Sequence, residues 1–208
     1  IGQVFASVRG NLTYAKNRVE EYDEVPQVYQ YQAYTGQSIG QPFVYVAEGL
    51  YTPDDFDIVE NADGSKTYTL KEGMPNPGTQ VAPGDIKYKD LDEDGFITDK
   101  DQDWIGDANP DFYYGFNFDL NWKNLDLSIL FQGVEGNDIF NMNALRFYDL
   151  GNTRNVPYYV YEQSWSVNPQ TAVAPKIFYY SGRDVRFSRL YLDDGSYLKL
   201  RSLSIGYT

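Results

Sequence analysis

The residues best suited to chemistry stand in one short acidic stretch near the middle of the chain. Three aspartates alternate with other residues, a glycine follows the third, and another aspartate stands at the twelfth position of the stretch. This spacing matches the twelve-residue loop that surrounds Ca²⁺ with oxygen ligands, in which the glycine permits a sharp turn. The predicted ligands are the side chains of Asp90, Asp92, Asp94 and Asp101, the carbonyl of Phe96, and Thr98 directly or through water.

One substitution and the flanking sequence set this stretch apart from a paired calcium-binding hand. Asp101 stands where such loops usually carry a bidentate glutamate, and its shorter side chain should weaken binding. No amphipathic helix flanks the stretch, so it would be a single loop. The alternative interpretation is a solvated acidic turn held by side-chain-to-backbone hydrogen bonds. Because a cation would relieve the repulsion between crowded carboxylates, we expect a structural Ca²⁺ here.

The composition excludes several kinds of site and partner. The 208 residues contain no histidine and no cysteine, which leaves no Ser-His-Asp or Cys-His constellation, no usual zinc site and no disulfide. The net charge of −13 argues against binding to nucleic acid. Asp54, Asp55 and Asp57 offer a carboxylate pair for glycoside hydrolysis, but a solvated acidic loop is the favoured interpretation. We therefore expect no enzyme activity, no catalytic residue and no organic cofactor.

Alternating hydrophobicity predicts the strands that must position the acidic stretch. From about 112 to 122, aromatic and aliphatic residues occupy one parity and mostly polar residues the other. The alternation restarts after Lys123-Asn124 and continues from about 125 to 133, so the two segments form a hairpin. Similar patterns predict strands at about 4–14 and 197–208. The parity changes within the last one, which indicates either a bulge or a segment that rises above a membrane.

The connections between these strands alternate in length, and this favours a membrane barrel. Residues 15–111 and 135–195 form long connections, whereas Lys123-Asn124 is a tight turn. Outer-membrane barrels have long extracellular loops and short periplasmic turns. The charges of the first three strands also share the polar parity, away from lipid: Arg9, Asp119 and Asp126. The expected fold is all-β, an antiparallel segment of a large transmembrane β-barrel whose long loops are extracellular.

A series of motifs in the second half of the chain carries a family resemblance. In order they are Asp85–Asn109, Pro110-Asp111-Phe112, Tyr114-Gly115, Leu127–Val134, Gly136-Asn137-Asp138-Ile139 and Asp194–Leu200. This order resembles the C-terminal part of SusC/RagA-type TonB-dependent outer-membrane transporters, although that family usually has arginine where Lys199 stands. The resemblance implies a 22-stranded barrel with an N-terminal plug. It also implies energy from TonB and a SusD-like lipoprotein that captures glycans or peptides.

The resulting prediction is a partial barrel domain over residues 1–208, with the plug and the closing strands absent. Four strands cannot close a barrel, and open edges cannot face lipid, so other strands must complete it. The expected function is nutrient import across the bacterial outer membrane, with a SusD-like lipoprotein, TonB and the lipid bilayer as partners. Two alternatives remain from the residues alone: a secreted calcium-stabilised β-sandwich that binds carbohydrate, and a glycoside hydrolase fragment.

Two weaker predictions concern the second long connection. Residues 141–148 are expected to form a short helix. A group of aromatic residues offers surfaces on which sugar rings or peptide side chains could stack, although loop packing explains them equally well. These residues are Tyr158, Tyr159, Tyr161, Trp165, Tyr179 and Tyr180.

Overall fold

The computed structural model describes residues 4–148, 155–177 and 186–208. Within these ranges the named strands all pair in antiparallel ladders. In chain order the strands are β1 (Val4–Tyr14), β2 (Phe43–Tyr45), β3 (Ala47–Leu50), β4 (Phe56–Glu60), β5 (Lys66–Leu70), β6 (Ile86–Tyr88), β7 (Gln102–Trp104), β8 (Phe112–Trp122), β9 (Leu125–Glu135), β10 (Asp138–Phe140), β11 (Leu192–Asp194) and β12 (Tyr197–Tyr207). The helices are α1 (Met142–Tyr148) and α2 (Tyr158–Gln163).

The largest element is a four-stranded antiparallel sheet in the order β1-β8-β9-β12. Each of its strands has eleven residues, and β9 extends two residues beyond the predicted end at 133. The register aligns the apolar positions across all four strands, so that Val8 pairs with Phe118, and Phe118 with Ile129. These side chains form one continuous apolar face. That face is exposed in the described structure: Leu12 at one edge is 70% accessible and Ile205 at the other is 69%.

A bulge in β12 explains the change of parity in the last strand. The register against β9 shifts between Leu200 and Ser202, so Arg201 is the extra residue. Leu200 pairs with Phe131, and after the bulge Leu203 pairs with Ile129. Because one inserted residue reverses the side-chain alternation, the apolar residues before and after it lie on the same face. Of the two interpretations of this segment, the bulge is therefore confirmed.

The opposite face of the sheet is polar and hydrogen-bonded. The Asp119 carboxylate accepts from Asn117 Nδ2 at 2.6 Å and from Ser128 Oγ at 2.7 Å. Arg9 lies across from Asn117 in the register, on this same face. The side-chain amide of Asn121 also donates to Asp126. Arg9, Asp119 and Asp126 thus share the polar face, as the parity of the sequence indicates.

A tight turn at Lys123-Asn124 joins β8 to β9. Lys123 adopts a positive φ of 56°, and the turn is held to the end of the chain by the Thr208 amide, which donates to the Asn124 carbonyl at 2.9 Å. Gly133 of β9 lies close to the side chain of its partner on β8, Tyr114. A Cβ at that position would lie 2.5 Å from the Tyr114 ring, so glycine allows the ring to cover the strand.

The two long connections fold together at one end of the sheet. Residues between β1 and β8 form three short ladders, β2-β7, β3-β6 and β4-β5. Their main buried cluster contains Tyr45, Ile86, Tyr88 and Ile97, and Tyr191 from the second connection completes it. The packing of Tyr191 among residues of the first connection makes one folded body from both.

The short helix predicted at 141–148 is observed as α1. It begins after Asn141, whose Oδ1 accepts from the Ala144 amide at 2.9 Å and caps the first turn. Asn141 Nδ2 also donates to Asp193, which ties the helix to β11. Among the described residues, neither helix has the length and apolar character needed to cross a membrane.

Candidate functional site

Buried residues on both sides fix the ends of the acidic loop. Tyr88 at the end of β6 is buried in the main cluster, and Ile97 within the loop packs into the same cluster. After the loop, a 3-10 turn at Asp99–Asp101 leads directly into β7. The acidic residues between Tyr88 and Ile97 are therefore held on the outside of a packed core.

The structure brings together three of the four predicted aspartate ligands. Carboxylate oxygens of Asp90, Asp92 and Asp94 all lie within 4.8 Å of one another. The tight curvature that allows this uses left-handed backbone at Glu93, with φ of 58°, and at Gly95, with φ of 84°. The Gly95 amide donates to Asp90 Oδ2 at 2.8 Å and closes the turn.

Asp101 has a different role from the other three aspartates. Its side chain is fully buried, and its carboxylate accepts two backbone hydrogen bonds of 2.7 Å, from the amides of Leu91 and Thr98. It therefore joins the start of the loop to its end. Thr98 in turn caps the following 3-10 turn, since its Oγ1 accepts from the Lys100 amide at 3.3 Å. Phe96, whose carbonyl was a predicted ligand, pairs with Asn76 in a short parallel bridge.

A lysine ammonium contacts two of the three clustered carboxylates. Lys100 Nζ lies 3.1 Å from Asp94 Oδ2 and 3.4 Å from Asp92 Oδ2. Its hydrogen bonds to Asp94 and then to Asp92 raise the pKa of Lys100 to about 12. Burial opposes ionisation of Asp92, but hydrogen bonds from Tyr29, the Asp94 amide and Lys100 outweigh it and lower the pKa of Asp92. Asp92 is therefore ionised at neutral pH, next to the positive charge of Lys100.

The donor set fits a hard divalent cation. Carboxylate oxygens are the ligands that Ca²⁺ and Mg²⁺ prefer. Asp90 Oδ1 is also buried and has no hydrogen-bond partner among the described residues. A buried carboxylate oxygen without a partner is costly unless a cation neutralises it. Of the three clustered aspartates, Asp90 is thus the one whose buried oxygen would be stabilised most by a bound cation.

Residues from a distant segment cover the acidic loop, and no pattern in the sequence indicates this contact. The Tyr29 hydroxyl donates to Asp92 Oδ2 at 2.9 Å, across 63 positions of the chain. The Tyr31 hydroxyl and Gln32 Nε2 both donate to the Lys100 carbonyl, at 2.7 and 3.1 Å. Their types are common in polar loops, so only the tertiary fold reveals that they restrain the candidate cation site.

The weaker candidate residues from the sequence lie in different environments. Asp55 caps a 3-10 turn and pairs with Lys87 at 3.0 Å, so its carboxylate has structural partners. Tyr158, on α2, is 73% exposed and available for stacking. Trp165 packs against Gly84, where a Cβ would lie 2.4 Å from its ring. Tyr179 and Tyr180 lie outside the described residues.

Comparisons with known proteins decide the family. No family model matches the chain. It is 32% identical over 172 residues to TonB-dependent receptor P3 of Formosa agariphila, an alignment that covers 83% of this chain. It is 30% identical over 135 residues to TonB-dependent receptor P26 of the same organism, which covers 65% of this chain. The described structure matches that of the RagAB peptide transporter with a TM-score of 0.57, at 16% identity, over 98% of this chain.

The chain belongs to the TonB-dependent receptors. The resemblance carried by the motifs of its second half is thereby confirmed, as is the all-β barrel fold class. A second RagAB structure, of the peptide importer in its open-open state, gives a TM-score of 0.58 at 14% identity. The chain spans 15% of receptor P3, 13% of receptor P26 and about one fifth of the RagAB chains. Its four-stranded sheet is accordingly an unclosed portion of such a barrel.

Proposed function

We propose that this chain forms part of the wall and the outer loops of a TonB-dependent nutrient importer in the bacterial outer membrane. The observation that carries the proposal is the division of the four-stranded sheet into an exposed apolar face and a hydrogen-bonded polar face. In a barrel, the first would contact lipid and the second would line the lumen. The names of the relatives, receptors and transporters, support import over catalysis.

The orientation follows from where the two long connections lie. Both fold into one body at the same end of the sheet, while Lys123-Asn124 forms a tight turn between β8 and β9. Long loops in outer-membrane barrels are extracellular and short turns are periplasmic. The folded body would therefore stand outside the cell, and Lys123-Asn124 would lie in the periplasm.

The partners of this receptor would act at its two ends. A SusD-like surface lipoprotein would cover the extracellular loops, and TonB would act through a region outside these 208 residues. The imported substrates would be glycans or peptides. The solved relatives are named as peptide transporter and peptide importer, and the exposed tyrosine side chains of α2 are suited to stacking on either class.

The same proposal assigns a structural Ca²⁺ to the acidic loop. Asp90, Asp92 and Asp94 would hold the ion, with the Phe96 carbonyl and Thr98 completing the shell. Asp101 would shape the loop through its two backbone hydrogen bonds. An extracellular position suits such a site, because loops of this kind in extracellular modules commonly bind Ca²⁺ with dissociation constants of about 10⁻⁴–10⁻³ M.

Labelling of single cysteines in the intact receptor tests the orientation. Asp54→Cys, at an exposed position of segment 54–64, should react with a membrane-impermeant maleimide on whole cells. Asn124→Cys should react only after the outer membrane is permeabilised, which also serves as the control for its reactivity. Labelling of Asn124→Cys but not Asp54→Cys on intact cells would overturn the proposed topology.

A further inference from the structure

A cleft with aromatic walls lies next to the acidic loop, in the body formed by the long connections. Its volume is about 790 Å³, within the range of small-ligand sites. Four rings and two carboxylates dominate its lining, together with glutamine side chains. These six residues are Tyr22, Tyr34, Phe43, Trp104, Glu24 and Asp99.

The rings of the cleft are held in a fixed arrangement. The Trp104 ring centroid lies 4.9 Å from those of both Tyr34 and Phe43. Trp104 Nε1 donates to the Gln32 carbonyl at 3.2 Å, which fixes the orientation of the indole. Tyr22 meets Tyr34 edge-on at 5.1 Å and is 57% exposed, so its own ring remains available at the mouth of the cleft.

The charge of the cleft is negative. Both oxygens of Glu24 accept backbone hydrogen bonds, from the amides of Tyr34 at 2.8 Å and Thr35 at 2.9 Å. The hydrogen bond from the Tyr34 amide contributes most and that from the Thr35 amide follows; together they lower the pKa of Glu24 and keep it ionised at neutral pH. Asp99 accepts from the Tyr45 hydroxyl at 2.7 Å and also lines the cleft. No lysine or arginine is among the described residues that line this cleft.

We propose that this cleft binds an organic cation, namely the side chain of a lysine or arginine carried by a short peptide substrate. A cation is attracted by the negative faces of aromatic rings and by carboxylates, and both surround this space. An anionic ligand would meet two like charges, since the cleft offers no basic side chain. The inference rests on the proposed import function and specifies the substrate class for which this part of the receptor is built.

Calorimetric titration of the intact receptor, purified in detergent, tests the cleft with matched ligands. The probes are acetyl-Ala-Lys-Ala-amide and its norleucine counterpart, whose blocked ends leave the lysine ammonium as the one difference. The lysine peptide should bind about tenfold more tightly. This preference should shrink as salt is raised, because the carboxylates are partly exposed to solvent.

Three variants link the preference to the cleft. Tyr22→Ala should lower affinity for the lysine peptide severalfold, whereas Tyr22→Phe, which keeps the ring, should leave it unchanged. Asp99→Asn keeps the acceptor for Tyr45 but removes a charge, so it should also weaken binding. Glu48→Gln removes a charge from an exposed position of β3 outside the cleft and should have no effect.

Two results would overturn the inference: equal affinity for the two peptides, or tighter binding of a neutral oligosaccharide that Tyr22→Ala abolishes. Either would leave import intact, because uptake of labelled peptides or glycans by cells is a separate measurement. Conversely, cells that carry the receptor could take up neither labelled peptides nor labelled glycans while the purified receptor still prefers the lysine peptide. That result would contradict the proposed import function but not the ligand proposed for the cleft.

Discussion

Replacement of Asp101 by alanine should make the acidic loop open more easily, and the hydrogen bonds of Asp101 indicate by how much. Its carboxylate is fully buried and accepts two amide hydrogen bonds of 2.7 Å, which span the acidic loop from Leu91 to Thr98. A hydrogen bond to a charged group contributes about 1.5–3 kcal/mol. Asp101→Ala removes both and leaves two partly buried donors unsatisfied, so the free energy of opening the loop should fall by about 3–6 kcal/mol.

Hydrogen–deuterium exchange of the intact receptor measures this loss directly. A change of about 3 kcal/mol corresponds to more than a hundredfold, so peptides covering residues 91–98 should exchange at least about a hundredfold faster in Asp101→Ala. Peptides from β8 and β9 should exchange as in the unaltered receptor. Glu93→Gln, which removes a charge from an exposed position of the same loop, is the matched control and should change little.

The calcium dependence of the same experiment separates two roles for Asp101. If its carboxylate acts through the backbone amides, the acceleration should be of similar size with calcium and with a chelator. An acceleration confined to calcium-containing buffer would show that Asp101 is a direct ligand. Unchanged exchange at residues 91–98 in both buffers would refute the reasoning from burial and hydrogen bonding.

Further predictions concern the sheet and the cation. Phe116→Arg places a cation toward lipid and should lower the folding stability of the barrel by about 2–4 kcal/mol. The loss should appear as a smaller fraction of heat-modifiable folded barrel on gels, whereas Asn117→Arg should assemble normally. Equal damage from both variants would contradict the assignment of faces. Lys100→Gln removes a competing ammonium and should raise Ca²⁺ affinity about two- to fivefold in calorimetry, and Asp92→Asn should lower it. Because the pKa of Asp92 lies below its ordinary value of 3.8, its contribution to Ca²⁺ binding should persist in mild acid and be lost only as the pH falls below that value. Deletion of Arg201 removes the bulge and turns one half of β12 over, so the folded fraction should fall; normal assembly would refute the role of the bulge.

The parts of the fold that depend on local periodicity could be predicted from the sequence. Strand β8 coincides with the alternating segment at 112–122, because side chains of a strand point to opposite faces at every step. The opposite parity of Leu200 and Leu203 in the sequence indicates either a bulge or a segment that rises above a membrane. Only the pairing with β9 decides between them, since a register is a property of two strands.

The candidate site was less accessible to sequence reasoning. The spacing of Asp90, Asp92 and Asp94 predicts their convergence, because a tight turn brings alternate residues together. Spacing alone could not show that Asp101 points to backbone amides, nor that Tyr29 donates to Asp92. These contacts depend on packing between segments far apart in the chain, which a local pattern does not encode.

The central claim is that the four-stranded sheet spans the outer membrane with its apolar face toward lipid. Spin labels on successive single cysteines from 113 to 121, in the intact receptor reconstituted into lipid vesicles, test it most directly. Collision rates with oxygen, which concentrates in lipid, should be high at the even-numbered positions, and rates with a water-soluble nickel complex high at the odd-numbered ones. High accessibility to the nickel complex at both parities would contradict a membrane-spanning strand.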